Sequence, residues 1–186
     1  MQHLLFDRAG RDNTGKILDL LEEAAEHYRV GQVVVASTWG DTGLAVARRL
    51  RGKNFNLVIV THNAGFKEPG TMEMPAETRN EIEALGGRVH TGTMPFRTIG
   101  TAIREKGGYS QQDLTANILR MFCQGIKVCV EIVMMAADAG YITPDNVLAV
   151  AGTGRGADTL ALIKPASSNR MFDLKVMDIL AKPLNF

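Results

Sequence analysis

Four segments of this chain pass abruptly from β-branched or apolar residues into glycine, threonine, serine or asparagine, and this repeated junction limits the fold more than any other feature. Gln32-Val33-Val34-Val35-Ala36 and Asn56-Leu57-Val58-Ile59-Val60 are continuous runs of the kind that suits strands covered on both faces. Arg88-Val89-His90-Thr91 is shorter and more polar, as expected nearer a sheet edge, and Asn146-Val147-Leu148-Ala149-Val150-Ala151 is again continuous. Between them lie helical patterns. Ile17, Leu18, Leu20, Leu21, Ala24 and Ala25 recur at helical spacing after an Asn13-Thr14 cap, and Leu44 to Leu50 ends in basic residues. A third helix is expected from about Pro75 to Leu85, where Gly86-Gly87 supplies the stop. A longer helical pattern covers Ser110 to Ala139 with a break near Gly125, and its apolar second half is a buried helix.

Alternating strands and helices predict an α/β domain with one mostly parallel sheet and helices on both faces, a three-layer α/β/α arrangement. Thr159 to Lys164 reads as a fifth strand. The turn before it is too short for a helical crossover, so it should lie antiparallel to the fourth, at an edge ended by Pro165. The chain's 186 residues suit one domain spanning 1–186.

Lys and Arg number 21 against 20 Asp and Glu, which leaves no surplus charge for a nucleic acid or an anionic membrane surface. No uncharged apolar run approaches a bilayer span, and Met1 to Arg8 lacks a basic region followed by a long apolar stretch, so a cytoplasmic location is expected. Cys123 and Cys129 sit in an apolar helical run without a CxxC spacing, as buried reduced thiols do. His3, His27, His62 and His90 show no HxxxH spacing, and no metal site is expected.

In open parallel sheets a ligand binds outside the carboxyl ends of the strands. There the chain offers Ser37-Thr38-Trp39-Gly40-Asp41-Thr42-Gly43, Thr61-His62-Asn63-Ala64-Gly65-Phe66, Thr91-Gly92-Thr93 and Gly152-Thr153-Gly154-Arg155-Gly156-Ala157-Asp158. Each alone is an ordinary turn. The first, between a strand and a helix, has the context that phosphate binding on amides requires, but lacks the Gly-Lys-Ser/Thr ending of a nucleoside triphosphate loop. Gly152 to Ala157 matches G-x-G-x-x-A, yet a strand follows where a helix should, which speaks against NAD. Arg155 offers a fork to a phosphate or is a solvated loop arginine. Trp39, Phe66 and Phe96 either flank a planar ring or anchor loops on the core. Lys127, Glu131 and Asp138 fall on one arc of the apolar helix, as an ion-paired or solvated face or with Glu131 buried against a neighbouring loop. The residues present no convincing acid and base pair, so catalysis stays open.

Taken as a set, Val33 to Gly43, Val58 to Phe66, Val128 to Gly140 and Ala151 to Asp158 resemble the family with the fold of the pyruvate kinase carboxyl-terminal domain, in particular its stand-alone members, some of which carry FMN. The resemblance runs from about residue 10 to the end. It implies a five-stranded sheet of order 3-2-1-4-5, and a phosphate site on Ser37 to Gly43 and Gly152 to Asp158 with FMN as occupant. No catalytic barrel accompanies the domain, so kinase activity is not implied. A non-catalytic sensor of a phosphorylated metabolite is the alternative expectation, and a homo-oligomer is left open.

Overall fold

The computed structural model describes residues 1–186, and one sheet runs through all of it. The strands are β1 (Leu4–Arg8), β2 (Gln32–Ala36), β3 (Asn56–Val60), β4 (Arg88–His90), β5 (Val147–Ala151), β6 (Thr159–Lys164) and β7 (Lys175–Asn185). The helices are α1 (Thr14–Tyr28), α2 (Asp41–Arg49), α3 (Ala76–Ala84), α4 (Thr98–Gly107), α5 (Gln111–Arg120) and α6 (Gln124–Asp138). The sheet order is β1-β7-β6-β5-β2-β3-β4, and β6 alone runs antiparallel to both its neighbours.

Side chains alternate across the central strands, as the two-residue period of a strand requires. Val33, Val35, Leu57, Ile59, Leu148 and Val150 face α1, α2 and α3. Val34, Val58, Val60, Val147, Ala149 and Ala151 face α6. Both faces are therefore covered, and the α/β/α layering follows.

The five-stranded expectation, and with it the simple order 3-2-1-4-5, is corrected to seven strands. The five expected strands are neighbours in the sheet, but β6 is not an edge: β7 pairs along it with two register irregularities, and β1 pairs parallel to β7. Pro183, opposite Phe6, and the charged residues of β7 hid that strand from its pattern. The long helical segment breaks near Gly125 as expected, between Arg120 and Gln124, where Cys123 is extended. Gly125 lies inside α6 because a Cβ there would come 1.9 Å from Thr159 Oγ1, so only glycine lets α6 approach β6 this closely. Cys123 precedes α6, its sulfur accepting from the Ile126 amide, and Cys129 donates to the Ala149 carbonyl. Both thiols are free and buried. No helix is long and apolar enough to cross a membrane.

Candidate functional site

The sheet order reverses at β2: the chain runs outward through β3 and β4, then returns to place β5 on the other side of β2. At such a reversal the loops leaving two adjacent strands diverge to opposite faces and leave a crevice. A cleft of about 300 Å³ opens there. Loop residues Ser37, Thr38, Trp39, Asp41, Thr42, Thr61, His62, Phe66, Gly152, Gly154 and Arg155, all expected at the site, line it.

The β2 end supplies a helix terminus whose cap residue has no side chain. Gly40, at φ 97°, directs the chain into α2, and of the first three amides only that of Gly43 meets an acceptor within the chain, leaving those of Asp41 and Thr42 free beside the cleft that these two residues line. Ser37 Oγ accepts the Gly43 amide at 3.0 Å and so fixes the turn. Gly43 is required for packing: its Cβ would lie 2.7 Å from Ile59 Cγ2.

The β5 end is clamped from behind. Asp158, fully buried, accepts the amides of Gly10 at 2.9 Å and Thr153 at 3.1 Å and the Thr159 hydroxyl at 2.8 Å. Its carboxylate anchors the loop and stands outside the cleft lining. Thr14 Oγ1 accepts the Ala157 amide at 3.0 Å, tying the start of α1 to the same loop. Arg155 reaches across to pair with Asp41 at 2.5 Å, with its guanidinium 5.8 Å from the centre of Trp39. Gly40, Gly43, Asn63, Gly65 and Thr153 likewise shape the loops without lining the cleft.

Several cleft residues carry no sign in the local sequence. Lys67 lies 4.3 Å from the centre of Trp39, and Arg97 lies 4.6 Å from that of Phe66. Neither has an acidic partner. On the floor, Lys127 and Glu131 form an ion pair almost wholly removed from solvent, and Glu131 Oε1 accepts the Phe96 amide at 2.8 Å. The stripe is thus ion-paired, and Glu131 is also buried against a neighbouring loop. Burial pushes the Lys127 ammonium below its ordinary pKa, against the pull of Glu131. Phe96 is buried in the core, whereas Trp39 and Phe66 both face the cleft.

Four buried polar side-chain atoms have no hydrogen-bond partner: His62 Nδ1, Asn63 Oδ1, Glu73 Oε1 and Thr153 Oγ1. All belong to the loops after β3 and β5. Buried polar groups are normally paired, and leaving one unpaired costs about 1–3 kcal/mol, so four such atoms in two loops set this end of the sheet apart from the rest of the fold. The residues fit FMN in kind: two free helix amides for the phosphate and two aromatic side chains for a planar ring. No family model matches the chain.

Proposed function

We propose that this protein binds FMN through its phosphate and ring in the cleft between the β2 and β5 loops. The two free amides at the start of α2, opening on a cleft flanked by Trp39 and Phe66, carry the proposal. The amides of Asp41 and Thr42, with the hydroxyls of Thr38 and Thr42, would hold the phosphate, and Arg155 would exchange Asp41 for it. Lys67 and Arg97 add cations without acidic partners to the same lining. When bound, FMN would supply two-electron redox chemistry, while the protein binds and orients it. The likeness to the stand-alone relatives of the pyruvate kinase carboxyl-terminal domain, and the five-strand core of its sheet, support the same proposal.

A second reading is favoured by size. A cleft of about 300 Å³ is at the lower limit of small-molecule sites, roughly 300–1,000 Å³, and suits a phosphorylated metabolite smaller than FMN, as in a non-catalytic sensor. The visible absorption spectrum of the purified protein, with mass analysis of what denaturation releases, decides between them. Flavin absorbance with released FMN is expected. A colourless protein that leaves added FMN fluorescence unquenched overturns the FMN proposal, and a different released phosphate ester establishes the sensor.

A further inference from the structure

His62 and Glu73 face each other across 3.8 Å, too far for a hydrogen bond, and the two facing atoms, Nδ1 and Oε1, are both buried without a partner. An ordinary loop histidine would have satisfied that nitrogen. Here the ring packs against Phe66, with centroids 4.0 Å apart and a tilt of 39°, and Arg97 covers the same phenyl ring. His62 lines the cleft, and its other nitrogen, Nε2, has no partner in the chain. Hydrogen bonds of proton-transferring groups are often long before the ligand is bound and tighten in the complex. A small shift of the loop joining β3 to α3 would satisfy both orphaned atoms at once.

We propose that His62 and Glu73 form a proton-exchanging couple facing the ligand ring: the Nδ1–H of His62 donates a hydrogen bond to Glu73 and keeps its proton, and Nε2 gains or loses a proton as the ligand changes charge. Glu73 is the positioning residue. Resting on the proposal that FMN occupies the cleft, the step balances as follows. An external reductant supplies two electrons and water one proton to the ring, which becomes an anion. Nε2 takes a second proton from water, and the imidazolium formed faces that anion. The charged groups acting on His62 are Glu73 and Glu131, which favour the imidazolium, and Arg97, which opposes it. Burial outweighs them and lowers the His62 pKa, which favours the neutral imidazole.

The test is the midpoint potential of FMN-loaded protein from pH 5 to 9, by dithionite titration, for wild type, His62→Gln, Glu73→Gln and Glu73→Asp. Near-ultraviolet circular dichroism of Trp39 serves as the control for folding. One extra proton per two electrons is a tenfold change per pH unit, so the wild-type slope should steepen by about 30 mV per pH unit over a window that His62→Gln abolishes. Glu73→Gln should move that window to lower pH, because the carboxylate raises the pKa of His62, and Glu73→Asp should restore part of it. Long-range nitrogen NMR of the ligand-free protein should show His62 as the Nδ1–H tautomer. Identical slopes in wild type and His62→Gln, or the Nε2–H tautomer, overturn the couple while leaving FMN binding standing. A wild-type protein that binds no FMN removes both proposals.

Discussion

Replacing Lys127 and Glu131 singly and together tests how the cleft floor is held. Both side chains are almost fully buried and pair with each other, and Glu131 also accepts the Phe96 amide. Lys127→Met strands a carboxylate with one amide donor, and Glu131→Gln strands an ammonium with one neutral oxygen. Breaking one half of a buried pair costs about 3–5 kcal/mol, so the two single losses sum to about 6–10 kcal/mol. The double variant removes both charges, and its glutamine oxygen still accepts the Phe96 amide. Its loss should be about 1–2 kcal/mol, the difference between a charged and a neutral hydrogen bond. The cycle is therefore non-additive by at least about 4 kcal/mol, measurable by urea unfolding of the four proteins. Single losses below about 1 kcal/mol that simply add would mean that the pair is solvated like a surface pair, and would refute the reasoning.

Gly152→Ala should lose about 1–3 kcal/mol and weaken FMN or phosphate binding, because the new Cβ would stand 2.5 Å from the Gly156 carbonyl oxygen, backbone that cannot swing aside. Unchanged stability with unchanged binding would mean the loop relaxes freely. Acidification should destabilise the protein as pH falls below about 6.5, the unfolded histidine value. Burial lowers the pKa of both His62 and His90, with Arg97 and Arg79 adding to the effect, so folding favours their neutral forms. That stability is complete above the unfolded value and is lost as pH falls through the folded values. Thermal unfolding from pH 5 to 7.5 should show the loss, and His90→Gln should flatten it. A melting temperature that rises on acidification in this range contradicts the assignment.

The sequence was legible where one local cause decided the structure. Val33 to Val35, Leu57 to Val60 and Leu148 to Val150 alternate between the two helical layers while remaining apolar throughout, so they announce strands covered on both sides. It was illegible where distant chain decides. In α4, Gly100 and the β-branched residues Thr98, Ile99, Thr101 and Ile103 argue against a helix. Gly100 is there because a Cβ would lie 2.7 Å from Gln112 Cβ, a requirement that only the α4–α5 packing reveals. The helix from Ile126, legible as buried, could equally have faced a subunit partner; it is enclosed between the sheet and α5, while Ile99, Ile103, Leu114 and Ile118 of α4 and α5 are among the exposed apolar residues.

The same division explains the candidate site. Glycines and hydroxyls at strand ends mark the cleft because close turns and phosphate cradles both need them, and one local composition serves both. That ambiguity is resolved differently from residue to residue. Gly43, Gly125 and Gly152 are spent on packing, since a Cβ at each would strike a named atom, and Asp158 is spent on anchoring the β5 loop. What remains unspent is the start of α2, the hydroxyl of Thr153 and the polar atoms of His62, Asn63 and Glu73. Glu73 reaches His62 within the loop joining β3 to α3, and Arg97 arrives from the segment after β4, the strand paired beside β3. Of these side chains, His62 and Glu73 line the cleft and turn their unpaired atoms toward each other, whereas Asn63 and Thr153 lie behind the lining and hold the loops.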